Sequence, residues 1–217
     1  MIIGITGGEG FIGSHFSKKL SNPIIFKGDL HDLECVKEFV THCDRIYHFA
    51  GLNREKEGVI FKNNLLATGN IILASKLISN DPEIIFSSTT QVDWNPDSEY
   101  GLTKSLEEEI IKKAKHWCIF RIPNVYGPGG RPFYNSVVAT FTYQISKNEE
   151  LTVNNPDAKG EFIYIDDLTD ALLEPRFNKY KHPKGEVLTI DQIRDYLTVD
   201  LGKHENLKRC LDYYLRK

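Results

Sequence analysis

Tyr100 and Lys104 stand four residues apart in Y-G-L-T-K, at the start of a stretch with helical apolar periodicity. On a helix that spacing puts both side chains on one face. A free phenol titrates at about pH 10 and is a poor proton donor or acceptor at neutral pH. A neighbouring ammonium stabilises the phenolate and brings its pKa toward the working range. The pair therefore predicts general acid–base chemistry on a carbonyl or hydroxyl oxygen. Ahead of it, the apolar run Glu83-Ile84-Ile85-Phe86 ends in four hydroxyls, Ser87, Ser88, Thr89 and Thr90. Thr89 is placed to hold the substrate oxygen while the proton moves. Alone, a Tyr and a Lys at this spacing are an ordinary exposed helix pair. The strand-end hydroxyls give the pair chemical meaning.

A second cluster can hold phosphate. Met1–Thr6 is short, apolar and β-branched, and it runs into Gly7-Gly8-Glu9-Gly10-Phe11-Ile12-Gly13. It reads as a buried strand, with Phe11–Leu20 as the helix that follows. Glycines at 7, 10 and 13 permit a tight turn, close approach of a pyrophosphate and close helix packing. The helix start offers free N–H groups and the positive dipole end. The glycine spacing is weak evidence alone; between a strand and a helix it predicts a dinucleotide-binding turn. A second strand in such folds usually ends in an acid that meets the adenosine ribose. Here Ile24-Ile25-Phe26 ends in Lys27, with Asp29 and Leu30 beyond. Lys27 is either a partner for a ribose 2′-phosphate, favouring NADP over NAD, or a solvated loop residue.

Alternating elements must position these groups. Arg45–Phe49, Glu83–Ser87 and Trp117–Ile122 read as strands. Leu33–Val40 (capped by Asp32), Ile60–Ile78 and Tyr100–Lys115 read as helices, and Leu52–Glu57 as a polar, basic loop. The alternation predicts an α/β, Rossmann-type, doubly wound parallel sheet over about residues 1–122. After Pro123 the pattern weakens. Asn124–Pro132 reads as a loop and Phe162–Ile165 as a short strand. Asn135–Lys147, Thr189–Leu197 and Asn206–Leu215 read as helices. Residues 123–217 are therefore expected to form mainly a small C-terminal substrate lobe within one domain.

Bulk composition bounds the partners. A chain of 217 residues with net charge −3 offers no basic surface to a nucleic acid. No apolar run reaches membrane-spanning length, and MIIGITGG lacks the features of a signal peptide. Cys35, Cys43, Cys118 and Cys210 are scattered and form no metal-ligand pattern, so free thiols in the cytoplasm are expected. Asp166-Asp167 at a helix start reads as capping acids and not as a metal site, and no metal is expected. His48 reads as a satisfied core or strand-end imidazole.

TGGEGFIG, RIYHFAG, the strand-end SST, YGLTK, RIPNVYGPGG and FIYIDDL occur in the order seen in extended short-chain dehydrogenase/reductases of the epimerase/dehydratase kind. The chain resembles that family over about its first 170 residues. The resemblance implies Thr89, Tyr100 and Lys104 as catalytic hydroxyl, acid–base and activator. It implies Gly7, Gly10, Phe11 and Ile12 at the pyrophosphate, and Asp29 and Leu30 by the adenine. Phe49, Ala50, Gly51 and Ser87 would line the cofactor, Pro123 would lie near the nicotinamide, and Asn124 near a substrate diphosphate. The stretch Pro132–Phe141, Asn148-Glu149-Glu150 and the loop Gly51-Leu52-Asn53-Arg54 are similar to the reductase half of capsular-polysaccharide enzymes. Those enzymes reduce a 4-keto UDP-amino-sugar with NADPH. Asn53, Arg54, Thr89, Gln91, Asn124, Arg131 and Asn135 are accordingly expected at the nucleotide-sugar substrate. Many relatives carry an arginine before the FIYIDD strand; Gly160 and Glu161 stand there, and Arg131 is expected to replace it.

Dehydratases of the family follow the catalytic threonine with Asp–Glu, whereas Thr90 and Gln91 carry no carboxyl. Three readings stay open: an NADPH-dependent reductase, an NAD-dependent 4-epimerase, and a non-catalytic dinucleotide-binding regulator. Apolar positions beyond what the sheet needs, Ile71, Ile72, Leu106, Ile110 and Ile111, together with the family resemblance, imply a homodimer. Its contact would run through the 60–78 and 100–115 helices.

Overall fold

A computed structural model describes residues 1–56, 58–78 and 81–217. Glu57, the last residue of the expected basic loop, lies outside the described residues. In chain order the elements are β1 (Ile3–Thr6), α1 (Phe11–Ser17), β2 (Ile24–Ile25), α2 (Leu33–Thr41), β3 (Arg45–His48) and α3 (Val59–Leu77). β4 (Glu83–Thr89), α4 (Gln91–Trp94), α5 (Glu99–Ile111), β5 (Trp117–Ile122), β6 (Asn124–Tyr126) and α6 (Val137–Ser146) follow. The last are β7 (Lys159–Tyr164), α7 (Ile165–Leu172), β8 (Lys179–Lys181), β9 (Glu186–Thr189), α8 (Ile190–Thr198) and α9 (Glu205–Leu215).

The chain forms two compact units, one of Met1–Ile122 with Ala171–His182, the other of Pro123–Asp170 with Pro183–Lys217. The first holds a six-stranded sheet in the order β2-β1-β3-β4-β5-β8, parallel throughout. This is the Rossmann-type sheet expected. Central strands of such a sheet are covered on both faces and need unbroken apolar runs. Ile84, Ile85 and Phe86 of β4 and Ile119 and Phe120 of β5 are indeed all fully buried. The order of strands across the sheet reverses between β1 and β3, the point at whose strand carboxyl ends sheets of this kind bind ligands. Thr6 pairs with His48, and His48 with Phe86. Asp32 caps α2 as expected, accepting from the N–H groups of Glu34 and Cys35.

The second unit holds a three-stranded sheet, β6-β7-β9, with β7 parallel to β6 and antiparallel to β9. Asn124–Tyr126 was expected within a loop and is instead β6. Three residues between Pro123 and the glycines of 127–130 are too few to show a period. β8 and β9 carry no apolar alternation either. β8 is Lys-Tyr-Lys on the sheet edge, where lysines also deter pairing with another chain.

The helix α5 buries charged as well as apolar side chains. Its buried residues include Lys104, Glu107 and Glu108 beside Ile111, while Leu102 and Leu106 are exposed. The same holds in part for α3, which buries Asn64, Thr68 and Asn70 and exposes Leu66, Leu73 and Leu77. Of the apolar positions expected to be surplus, Ile71, Ile72 and Ile111 are core residues of the first unit. The correction has a simple cause: helical periodicity finds an apolar stripe but not which stripe faces the sheet.

Candidate active site

The glycine turn is built by crowding at three of its positions. Gly7 has φ +67°, which a side chain rarely adopts, and an added Cβ would stand 2.6 Å from the Ala50 nitrogen. The turn thus abuts the end of β3 at the reversal point. A Cβ on Gly13 would strike the Gly7 carbonyl, and one on Gly8 the Ile25 side chain. Gly10 differs, since its Cβ would meet only the Gly7 carbonyl oxygen, at 3.2 Å. A side chain there would crowd that carbonyl, and glycine also leaves a bare face for a close ligand. Gly10 also starts α1 with no side-chain cap, which leaves the first turn at Phe11 and Ile12 to other acceptors. These features fit a dinucleotide pyrophosphate.

The other expected cofactor residues of the first unit lie at strand carboxyl ends. The Phe49 N–H donates to the Thr6 carbonyl at 3.1 Å, and the Ala50 N–H to Thr6 Oγ1 at 3.4 Å. Asn64 clamps the chain after Gly51, donating to the Leu52 carbonyl and accepting from its N–H at 2.9 and 2.8 Å. A Cβ on Gly51 would stand 3.5 Å from Lys104 Nζ, so the β3 end and the lysine are neighbours. Lys27 is exposed beyond β2. Asp29 accepts the His31 N–H at 2.9 Å, and the Leu30 carbonyl accepts from Asn70 at 2.9 Å.

Tyr100, the expected acid–base group, is carried by α5. Ser98 caps this helix through the Gly101 N–H. Gly101 lies against the Asn95 carbonyl with no room for a Cβ, which accounts for Tyr-Gly in the motif. Tyr100 is half-buried, and Lys104 Nζ lies 6.0 Å from the centre of its ring. Lys104 is 3% exposed. Its ammonium donates to the Ser87 carbonyl at 3.2 Å, sits 4.4 Å from the Phe86 ring centre and lies 3.1 Å from Glu107 Oε2. Burial pulls the Lys104 pKa down, but the charges of Glu107, Tyr100 and Glu108 outweigh it, and the net direction is up. Thr89, at the end of β4, is buried and accepts the Gln91 N–H at 3.2 Å. Arg121 holds both Glu108 oxygens, at 3.0 and 2.7 Å, and donates to Asp93 at 2.6 Å. The acid of α4 is thus already engaged.

His48 is buried as expected, between Thr6 Oγ1 at 2.6 Å and Thr68 Oγ1 at 3.0 Å. Burial, helped by the Lys104 charge, lowers its pKa from 6.5 to about 3, so it is neutral. Glu107 and Thr68 belong to the same cluster and escaped the sequence reading. A charged residue one turn after Lys104 looks like ordinary helix surface.

Asn53 and Arg54 are exposed on the loop after β3. Pro123, Asn124, Arg131 and Asn135 belong to the second unit. There Asn124 donates to the Glu161 carbonyl at 3.0 Å, and the Arg131 guanidinium lies 4.6 Å from the Tyr134 ring centre. A recess of that unit is lined by Tyr164, Asp166, Arg209 and Arg216. It presents arginines that the sequence reading passed over in favour of Arg131.

Comparison with known proteins gives the same picture. The model of the NAD dependent epimerase/dehydratase family matches residues 3–190. A UDP-2-acetamido-2,6-beta-L-arabino-hexul-4-ose reductase of Pseudomonas aeruginosa is 32% identical over 184 residues, 78% of this chain and 48% of the relative. A UDP-glucose 4-epimerase of Rickettsia bellii is 26% identical over 169 residues, 71% of this chain and 48% of the relative. The chain thus spans about half the length of both curated relatives. Among solved structures, the capsular polysaccharide assembling protein CapF of Staphylococcus aureus has a TM-score of 0.76 at 25% identity, covering 99% of this chain and 66% of that one. The UDP-glucose 4-epimerase of Thermotoga maritima has a TM-score of 0.84 at 20% identity, covering 100% and 99%, and shows the fold alone. With its glycine turn, parallel sheet and Tyr–Lys helix, this chain belongs to the NAD dependent epimerase/dehydratase family, whose members are NAD(P)-dependent enzymes of the short-chain dehydrogenase/reductase type.

Proposed function

We propose that the chain is the catalytic part of an NADPH-dependent reductase acting on the 4-keto group of a nucleotide-activated amino- or deoxy-sugar. The observation that carries this reading is the buried Lys104 ammonium, held beside Tyr100 at the hydroxyl end of β4 and next to Gly51. The dinucleotide, when bound, supplies the hydride. Tyr100 gives its phenolic proton to the substrate oxygen, Lys104 stabilises the phenolate left behind, and Thr89 orients the oxygen. Without an Asp–Glu pair after Thr89, and with Asp93 tied to Arg121, dehydration lacks its carboxyl groups. Asn53, Arg54 and Gln91, with Asn124, Arg131 and Asn135, are the proposed substrate contacts. Likeness to the Pseudomonas reductase supports the keto-sugar substrate, and likeness to CapF supports a role in surface-polysaccharide precursor synthesis, which we place in the cytoplasm. The decisive test is whether NADPH disappears mole for mole with a 4-keto UDP-amino-sugar. A 4-epimerase would turn over its sugar with no net loss of cofactor.

The NADP preference rests on Lys27. A charged hydrogen bond to a 2′-phosphate is worth roughly 1.5–3 kcal/mol, or about tenfold or more in affinity. Fluorescence titration should show NADPH binding tighter than NADH by that factor. Lys27→Ala should remove the difference while leaving NADH affinity unchanged. Equal affinities in the parent protein would point to NAD and to the epimerase reading.

The homodimer is proposed through the exposed leucines of α3 and α5. Leu73 is 44% and Leu106 37% exposed, with Leu66, Leu77 and Leu102 also open to solvent. An apolar patch of this kind on packed helices fits a symmetric contact. Light scattering should give twice the chain mass at micromolar concentration, and the chain mass for Leu73→Glu/Leu106→Glu. A monomeric parent protein would refute the assignment.

A further inference from the structure

Glu107 is fully buried, although it carries a carboxylate. Burying a carboxylate is costly unless hydrogen bonds and a counter-charge compensate. Its partners come from different elements. Thr68 of α3 donates to Oε1 at 2.6 Å, and the Lys104 ammonium lies 3.1 Å from Oε2. Beyond this ion pair, Oε2 takes no hydrogen bond among the described residues.

The direction of the hydrogen bonds follows from Thr68. Its hydroxyl proton goes to Glu107, so its oxygen accepts from His48 Nε2, 3.0 Å away. His48 is neutral, so Nδ1 carries no proton and accepts from Thr6 Oγ1 at 2.6 Å. Thr6 Oγ1 in turn accepts the Ala50 N–H at 3.4 Å. Every donor in this buried line points toward Glu107. The line starts at Thr6, just before the glycine turn, and ends against Lys104. A carboxylate so held fixes the ammonium in place and offsets part of its charge.

We infer that Glu107 is a positioning residue that keeps Tyr100 a protonated phenol at working pH, matched to giving a proton to a ketone. This deepens the reductase reading and rests on it for its chemical purpose. Unopposed, the Lys104 charge would drive Tyr100 toward phenolate, the form that takes a proton from an alcohol. Opposed by Glu107, it stabilises the phenolate only as the proton leaves. In the reduction, hydride adds to the carbonyl carbon, the phenolic proton goes to the carbonyl oxygen, and the phenolate is left facing Lys104. Several other charged and polar groups lie near the pair. Glu108, on the same helix, is neutralised by Arg121 of β5 and bonded by Ser88 of β4. His48 of β3 is neutral, Ser87 of β4 offers only its carbonyl, and Asn64 and Thr68 of α3 are uncharged.

The test is an ultraviolet tyrosinate titration of the ligand-free protein, with Tyr100→Phe as the blank that isolates Tyr100. In the parent protein Tyr100 is expected to stay a phenol at neutral pH and to ionise only on the alkaline side. In Glu107→Gln, which keeps the shape and can still accept from Thr68, it should appear about one pH unit lower. Glu107→Asp should return it part of the way. A Tyr100 already ionised at neutral pH in the parent would overturn the inference, even if no variant folds. So would an unmoved or raised Tyr100 titration in a folded Glu107→Gln. The alkaline limb of the pH–rate profile for ketone reduction should move down in step. If the titration moves but no ketone is reduced, the reductase reading fails and the role of Glu107 stands.

Discussion

Tyr100→Phe is expected to lower turnover by roughly 10²–10⁴-fold and to leave dinucleotide affinity nearly unchanged. The phenol is half-buried at the start of α5, and the substitution removes one oxygen while keeping the ring. The glycine turn, where the pyrophosphate is proposed to sit, is built from β1, β3 and α1 contacts that do not involve Tyr100. Binding and chemistry should therefore separate cleanly. Fluorescence titration reads the first, and single-turnover oxidation of NADPH the second. Activity within about tenfold of the parent would mean that another group delivers the proton.

Lys104→Met is expected to cost stability as well as activity. Removing one partner of a buried ion pair leaves the other charged and unpaired, typically at about 3–5 kcal/mol. Lys104 is 3% and Glu107 0% exposed, so water cannot easily compensate. A lost activity in Lys104→Met alone would thus not identify a catalytic lysine. The double variant Lys104→Met/Glu107→Leu resolves this. Replacing a whole buried pair with apolar side chains is often neutral, so most of the lost stability should return. Activity should not return, because the phenolate still lacks its ammonium. Denaturant unfolding of the three proteins measures the first effect. A single variant within about 1 kcal/mol of the parent would show that water or a rearranged carboxylate relieves Glu107.

What the sequence made legible divides along physical lines. Short-range rules served well. The glycine turn, the Asp32 cap, the central strands and the Tyr–Lys spacing all depend on residues close in sequence. The parallel direction of β1, β3, β4 and β5 follows from alternation, whereas their order does not. Long-range partners were less accessible. Nothing near Glu107 in sequence announces Thr68, and nothing near Thr68 announces His48, because the sheet and α3 bring them together. The same limit applies to α5: its buried side is charged as well as apolar, and Ile111, expected as surplus, lies in the core while Leu106 is exposed as expected. In the second unit, three- and four-residue strands such as β6 and β9 are too short for a period to show.

The central claim, net reduction of a keto-sugar through Tyr100, is tested most directly by following both reactants at once. The protein is mixed with NADPH carrying deuterium at the transferable position and a 4-keto UDP-amino-sugar. Cofactor absorbance and the sugar's mass are then recorded together. The account predicts mole-for-mole loss of NADPH, with one deuterium appearing on the carbon that bore the ketone. It also predicts that Tyr100→Phe blocks both changes. Conversion of the sugar with no net loss of NADPH, or NADPH oxidation with no deuterium at that carbon, would contradict it.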